Sequence, residues 1–234
     1  MPRRIDGELI LWWSLPAVAL IWVSAFVLFP GFTPPPMVAP RYNVAPSQPV
    51  LAVPNDGKSK IDFFLWGLIP MWAKDPSIGK RLINARGETV AEKPSFRGSL
   101  KYKRCLILAD GFYEWKTVQG RKSKVPYFIH MKDRKPFAFA GLWERWKDPN
   151  GQLVESCTIV TVDANPLVAE LHDRMPLILA PADYDAWLWW LRATGAVGGG
   201  HAHDSAAPGD SGGHGGHVGP QPWVAMTDQA QCDK

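Results

Sequence analysis

The chain of 234 residues is 46% hydrophobic and carries a formal net charge of +4, which is enough apolar content for one substantial folded domain. Its three cysteines, Cys105, Cys157 and Cys232, are an odd number without CxxC spacing. This argues against a disulfide framework and favours a reducing, intracellular setting. Residues 74–124 hold thirteen Lys/Arg against five Asp/Glu, a bias that suits either a phosphate backbone or a solvated surface.

The N-terminal part contains a long apolar segment. Residues 9–29 carry no charge, and as a helix they would span about 30 Å, the thickness of a bilayer core. Arg3 and Arg4 precede them, which would keep the N-terminus inside. The segment predicts a membrane contact, with a signal sequence or a translated extension outside the working protein as alternatives. A proline-rich joint closes this part, residues 1–36.

The central part, residues 37–192, is predicted to be the folded domain. Short apolar runs such as LAVP, FFLWGLIP, PYFIHM and CTIVTVDA alternate with Gly, Pro, Asp and Asn, a pattern typical of antiparallel strands. Helices are expected to be fewer, with candidates at 165–172 and 182–192, each with a proline in or just before its first turn. The pattern therefore predicts a mainly antiparallel α+β domain.

Residues 193–234 form a Gly/His-rich tail that is predicted to be disordered, because its apolar content is too low to offset the entropy of ordering. Four of the six histidines, His201, His203, His214 and His217, lie in it. Their spacing matches no defined zinc motif. We therefore predict no metal site and no cofactor.

Five sequence blocks are too particular to be explained by packing. They are RYNVAPSQ at 41–48, WGLIPMWAKD at 66–75, INARGETVAEKPSFR at 83–97, RCLILADGFYEWK at 104–116 and LHDRMPLIL at 171–179. In their order and spacing the chain resembles the SRAP family, the SOS response-associated peptidases. The resemblance implies a β-barrel-like domain that acts as a cytoplasmic, nucleoid-associated monomer on abasic sites in single-stranded DNA. In that family an N-terminal cysteine forms a thiazolidine cross-link with the lesion, and the same cysteine is thought to cleave a propeptide.

The resemblance assigns catalytic positions to Asn84, Glu114 and His172, and a weaker supporting position to Thr161. Taken alone, Asn84 is an amide that can hold a sugar oxygen or cap a turn. Glu114 lies between Tyr113 and Trp115, and partial burial there would raise its pKa toward a value useful for acid–base chemistry; a solvent-facing strand residue is the alternative. His172 is a natural proton shuttle or part of an ion-paired turn, and Thr161 equally fits an ordinary strand position.

DNA contacts are predicted from arginine and tryptophan. Arg86 and Arg97 can pair with phosphate oxygens, and they match arginines that grip DNA in the resembled family. Trp66 and Trp72 match tryptophans that wedge against bases, where stacking contributes about 1 to 3 kcal/mol per base. Core packing is the alternative for one of the two.

The chain departs from the family at its start. It begins Met-Pro-Arg-Arg and has no cysteine before Cys105, whereas the family cysteine follows the initiator Met so that its free amine and thiol both react. Two functions are therefore expected to compete: covalent abasic-site processing, and non-covalent DNA binding by a chain without the nucleophile. The enzyme class, hydrolase or lyase, stays open, as does a membrane-tethered role.

Overall fold

The computed structural model describes residues 29, 31–36, 41–120, 122–193 and 230–233. In these ranges no helix is both long and apolar enough to cross a membrane. The predicted span at 9–29 lies outside them except for Phe29, which is buried and stacks on Tyr184 with ring centroids 5.5 Å apart. The boundaries proposed at residues 36 and 193 stay predictions.

Strands dominate the described residues, and helices are short. The strands are β1 (Pro49–Pro54), β2 (Asp62–Trp66), β3 (Asn84–Arg86), β4 (Arg104–Ala109), β5 (Gly111–Lys116), β6 (Val125–Met131), β7 (Phe137–Lys147), β8 (Leu153–Asp163), β9 (Arg174–Pro176), β10 (Ile178–Leu179) and β11 (Ala230–Asp233). The α-helices are α1 (Arg97–Tyr102), α2 (Pro166–Ala169) and α3 (Tyr184–Ala193), with 3-10 turns at Pro76–Arg81 and Pro181–Asp183.

Five strands close on themselves as a barrel. Their order is β7, β4, β1, β2 and β8, and β8 pairs again with β7. All of these pairings are antiparallel except that of β2 with β8. Strand β3 extends the sheet by a second parallel pairing with β8. The predicted class, a mainly antiparallel β-barrel-like α+β domain, is confirmed.

A separate antiparallel sheet has the strand order β11, β6, β5. Ile129 and Met131 of β6 are buried in the same core cluster as Phe64, Trp143 and Ile159 of the barrel strands. A second cluster contains Leu106, Leu142 and Val160 together with Trp187 and Leu188 of α3. Neighbouring positions of β8, Ile159 and Val160, thus face different clusters, as strand alternation requires.

The helix predictions are correct in place but not in length. Asn165 caps α2 by accepting the Val168 N–H at 2.9 Å, and Pro166 occupies the first turn. The helix ends early because the N–H groups of Leu171 and His172 both return to the Val168 carbonyl and close a turn. The second predicted helix, 182–192, appears as a 3-10 turn followed by α3.

The tail contributes one strand to the described residues. Within 193–234 the structure describes, beyond Ala193, only β11, which pairs with β6 so that Ala230 lies opposite Met131 and Asp233 opposite Phe128. The four tail histidines lie outside the described residues.

Candidate functional site

Strand β3 presents two of the predicted site residues on one side. Asn84 and Arg86 are exposed, whereas Ala85 between them is fully buried. Because β3 pairs in parallel with β8, Arg86 lies opposite Thr161, whose side chain is buried. The structure therefore brings Asn84, Arg86 and Thr161 to one end of the main sheet, and the first two face solvent.

Glu114 lies in the middle of β5, opposite Tyr127 of β6. It is half-buried, and burial raises the pKa of its carboxyl, while the electrostatic influence of His172 acts in the opposite direction. The predicted rise in the Glu114 pKa is confirmed. His172, although distant in sequence, is thus close enough in space to act on the carboxyl of Glu114.

His172 follows α2 and is held by its own loop. Its Nδ1 accepts the backbone N–H of Arg174 at 3.0 Å and lies 3.1 Å from Asp173 Oδ1. The hydrogen bond from Arg174 corresponds to the tautomer with its proton on Nε2, whereas a proton on Nδ1 would be donated to Asp173 instead. The ring is half-exposed, so the Nε2 side is available to donate to a bound molecule.

Arg174 ties this loop to the sheet. Its guanidinium donates from Nη1 and Nη2 to the two carboxylate oxygens of Glu88, each at 2.9 Å. It also donates to Asp163 Oδ1 at 2.5 Å and to the Thr161 carbonyl at 2.8 Å. The hydrogen bond from Arg174 lowers the pKa of Glu88. Through Arg174 the His172 loop is therefore fixed to β8 and to the segment that follows β3.

The two predicted DNA-binding tryptophans differ in environment. Trp66 is half-buried, packs against the core cluster of Phe64 and Trp143, and donates from its indole N–H to the Ile83 carbonyl at 2.9 Å. Trp72 is 59% exposed. The expected core packing of one tryptophan therefore describes Trp66, which supports the backbone immediately before Asn84, while Trp72 has a free face.

Arg97, the first residue of α1, is exposed. Among the described residues no hydrogen bond or ion pair joins the side chain of Arg97 or Trp72 to the other candidate residues described above. Those residues are Asn84, Arg86, Glu114, Thr161, His172 and Arg174. Arg97 and Trp72 both stay predictions as DNA contacts.

Two of the three cysteines give no sign of reactivity. Cys105 and Cys157 are fully buried and not bonded to each other. Burial raises the pKa of both thiols, so neither forms a thiolate readily. In the same residues no group of three or more His, Cys, Asp or Glu side chains is placed to hold a metal ion.

Sequence reasoning noted Arg174 as a neighbour of His172 but missed what it binds. Its acidic partners Glu88 and Asp163 are 86 and 11 positions away in the chain. The available signal in the sequence was the arginine two positions after His172 in the block LHDRMPLIL. Finding its partners required the register of β8 with β3 and β9, which the sequence pattern does not contain.

Comparisons with known proteins identify relatives of this chain. A family model described as SOS response associated peptidase (SRAP) matches residues 29–196. The abasic site processing protein YoqW of Bacillus subtilis is 50% identical over 158 residues, which are 67% of this chain and 70% of that protein. The abasic site processing protein HMCES of Rattus norvegicus is 33% identical over a match that covers 64% of this chain and 53% of that protein.

Solved structures show the same fold. A protein from Bacteroides thetaiotaomicron superposes with a TM-score of 0.56 at 33% identity, over 61% of this chain and 63% of that one. A protein from Bordetella bronchiseptica gives a TM-score of 0.61 at 25% identity, over 70% of this chain and 82% of that one. With the family model covering more than half of its length, this chain belongs to the SRAP family, whose curated members matched here are abasic site processing proteins.

Proposed function

We propose that this protein recognises abasic sites in single-stranded DNA, with Glu114 and His172 handling protons at the lesion. The observation that carries the proposal is the placement of Glu114. Burial raises its pKa while His172 is close enough to oppose that rise, and paired groups of this kind serve acid–base chemistry. The names of the matched relatives support the choice of substrate.

Each group has a separate task in this proposal. An abasic site exposes a ring-opened aldehyde, whose oxygen needs a proton when a nucleophile adds or when water leaves. Protonated Glu114 and the Nε2–H of His172 are the donors. The Asn84 amide can hold a sugar oxygen, because it donates and accepts at once. Arg86 and Arg97 would pair with flanking phosphates, and the exposed face of Trp72 would stack on a base.

Non-covalent recognition, in which Glu114 and His172 hydrogen-bond the ring-opened aldehyde and no proton is transferred, is the form of this function that the described residues favour. A thiazolidine closes when one residue supplies both an amine and a thiol to the aldehyde and water is released. Cys105 and Cys157, the cysteines whose side chains the structure describes, are buried with raised pKa values and their amines are in peptide bonds. Covalent capture by the Pro2 amine, after removal of Met1, is the second candidate.

The experiment uses fluorescein-labelled single-stranded DNA with one central abasic site and an undamaged strand of equal length. Anisotropy measures binding, and a denaturing gel detects covalent product. We expect tighter binding to the abasic strand. Glu114→Gln and His172→Ala should remove this preference, whereas Asp185→Asn, an exposed carboxylate on α3, should leave it intact.

The gel separates the two forms of the function. A preference on anisotropy without a shifted band identifies non-covalent recognition. A damage-dependent band that Pro2 acetylation abolishes identifies covalent capture. Equal affinity of the wild-type protein for damaged and undamaged strands would contradict the proposed function.

A further inference from the structure

Strand β5 has two chemically different faces. It lies at the end of the three-stranded sheet, where its partner among the described residues is β6. Glu114 projects to the side that approaches His172, so its neighbours Tyr113 and Trp115 project to the opposite side. A chain that reaches Glu114 can therefore pass around this strand to the second face.

The second face carries a row of aromatic rings. Trp115 is 51% exposed and Tyr113 is 38% exposed, with ring centroids 6.4 Å apart. Tyr113 contacts Phe128 of β6 at 5.1 Å. The Phe128 ring lies directly over Gly111, where an added Cβ would come within 2.3 Å of it. The row is therefore built into the sheet, and its two outer rings are open to solvent.

The same hairpin is strongly basic. Residues 116–131 contain Lys116, Arg121, Lys122 and Lys124 but no Asp or Glu. Lys122 and Lys124 are exposed, and neither forms an ion pair within the part of the chain that the structure describes. Lys124 also lies close enough to Glu114 to lower the pKa of that carboxyl. A hairpin that carries both exposed rings and exposed cations matches the two chemical features of a single nucleic-acid strand, flat bases and phosphates.

We propose that Tyr113, Trp115, Lys122 and Lys124 form a second contact surface for single-stranded DNA, which holds nucleotides that flank the lesion. This inference rests on the proposed function, since it places the abasic site on the Glu114 face. Bases stack on Tyr113 and Trp115, and the two lysines pair with the phosphates between them. A very short strand occupies the Glu114 face alone, while a longer strand occupies both.

The test compares a 5-nucleotide and a 25-nucleotide strand, each with one central abasic site, by anisotropy. The Tyr113→Ala/Trp115→Ala double variant should bind the long strand at least about 10-fold more weakly, given the usual contribution of stacking, and the short strand as the wild type does. Leu153→Ala removes a side chain that is 57% exposed at the start of β8. This control should change neither affinity.

A second variant tests the charges. Lys122→Ser should reduce the slope of log affinity against log salt for the long strand by about 0.7, which corresponds to one phosphate contact on single-stranded DNA; Lys124 is left in place because it also acts on the Glu114 carboxyl. The short strand should show no change in slope. Thermal melting of each variant verifies that the fold is retained.

Several results would overturn the inference. An unchanged affinity for the long strand, or equal losses for both strands, would show that the aromatic face does not hold flanking DNA. Sedimentation could instead show that Trp115→Ala dissociates a dimer, with no change in DNA affinity. That result would assign the face to contact with a second copy of the chain. The wild-type protein could also bind abasic and undamaged strands equally while the Tyr113→Ala/Trp115→Ala variant still loses affinity for the long strand alone. In that case the proposed function fails and this surface stands.

Discussion

Arg174 and Glu88 form a two-pronged ion pair, with Nη1 and Nη2 of the guanidinium each 2.9 Å from one carboxylate oxygen. The backbone N–H of the same arginine donates to the ring of His172. The orientation of the proposed proton donor thus depends on a contact to the segment after β3.

Arg174→Lys should weaken this connection, because an ammonium group cannot reproduce the planar fork that reaches Glu88, Asp163 and the Thr161 carbonyl. We expect the free energy of unfolding to fall by about 1 to 2 kcal/mol, measured by urea denaturation. The control is Lys135→Ala, which removes an exposed ion pair with Asp133 and should cost less than about 0.5 kcal/mol. Equal effects of the two substitutions would contradict the expected role of Arg174.

The Glu88 contact should make stability depend on acid pH. The Arg174 hydrogen bond holds the pKa of Glu88 below its usual range, so the unfolded chain takes up the proton first as the pH falls. The stabilisation is complete above the unfolded pKa, about 4.3, and is lost as the pH falls through the folded value. The difference in the free energy of unfolding between wild type and Glu88→Gln should therefore shrink from pH 6 to pH 3. A difference that stays constant over this pH range would contradict the expected role of the Glu88 contact.

Glu114 should behave in the opposite way. Burial raises its pKa, so the folded protein retains a proton that the unfolded chain has lost, and this contribution to stability declines as the pH rises above the unfolded value. Glu114→Gln should therefore be more stable than wild type at pH 7, with little difference at pH 4, while losing the preference for abasic DNA. A loss of stability at pH 7 would show that the carboxylate is favourably bound.

The buried thiols should be unreactive while the protein is folded. In a Cys232→Ser variant the remaining cysteines are Cys105 and Cys157, and burial raises both of their pKa values. We expect no thiol to react with a disulfide reagent at pH 8 within minutes and both to react in guanidinium chloride. Rapid reaction of the folded variant would reveal an accessible nucleophile and would favour covalent chemistry.

Gly67 allows two backbone segments to approach closely next to Trp66. It has a φ of +132°, and an added Cβ would lie 2.6 Å from the Gly79 carbonyl oxygen. Gly67→Ala should lower the free energy of unfolding by at least about 2 kcal/mol. The matched control is Gly98→Ala on the exposed side of α1, where a Cβ meets nothing within 4 Å and should stabilise by about 0.5 to 1 kcal/mol. The denaturant midpoints of the two variants test both expectations.

The local features of the fold were predictable from the sequence. β-branched and aromatic runs bounded by Gly and Pro correspond to strands, and Asn165 with Pro166 correctly indicates the start of α2. The sequence pattern could not place β8 beside both β2 and β3, because parallel pairings between distant segments leave no local signal. The short β11, which follows a Gly-rich stretch, has no detectable pattern of its own.

The site was predictable only in part, for the same reason. The family resemblance selected Asn84, Glu114 and His172, and simple electrostatics anticipated the raised pKa of Glu114. The ion pairs of Arg174 depend on how β3, β8 and β9 come together in space. Trp66 and Trp72 are both tryptophans of the block at 66–75, and only the packing of the folded chain distinguishes the half-buried indole from the exposed one.

Closure of the barrel through β8 affects the order in which the protein becomes functional. Strands β2 and β3 both obtain their parallel partner from residues 153–163, which leave the ribosome long after Asn84 and Arg86. Until that strand arrives, the chain has an open sheet edge and no fixed position for either side chain. Nascent or truncated chains ending before β8 should therefore lack the part of the site that Asn84 and Arg86 form, and that part should appear in one step when the barrel closes.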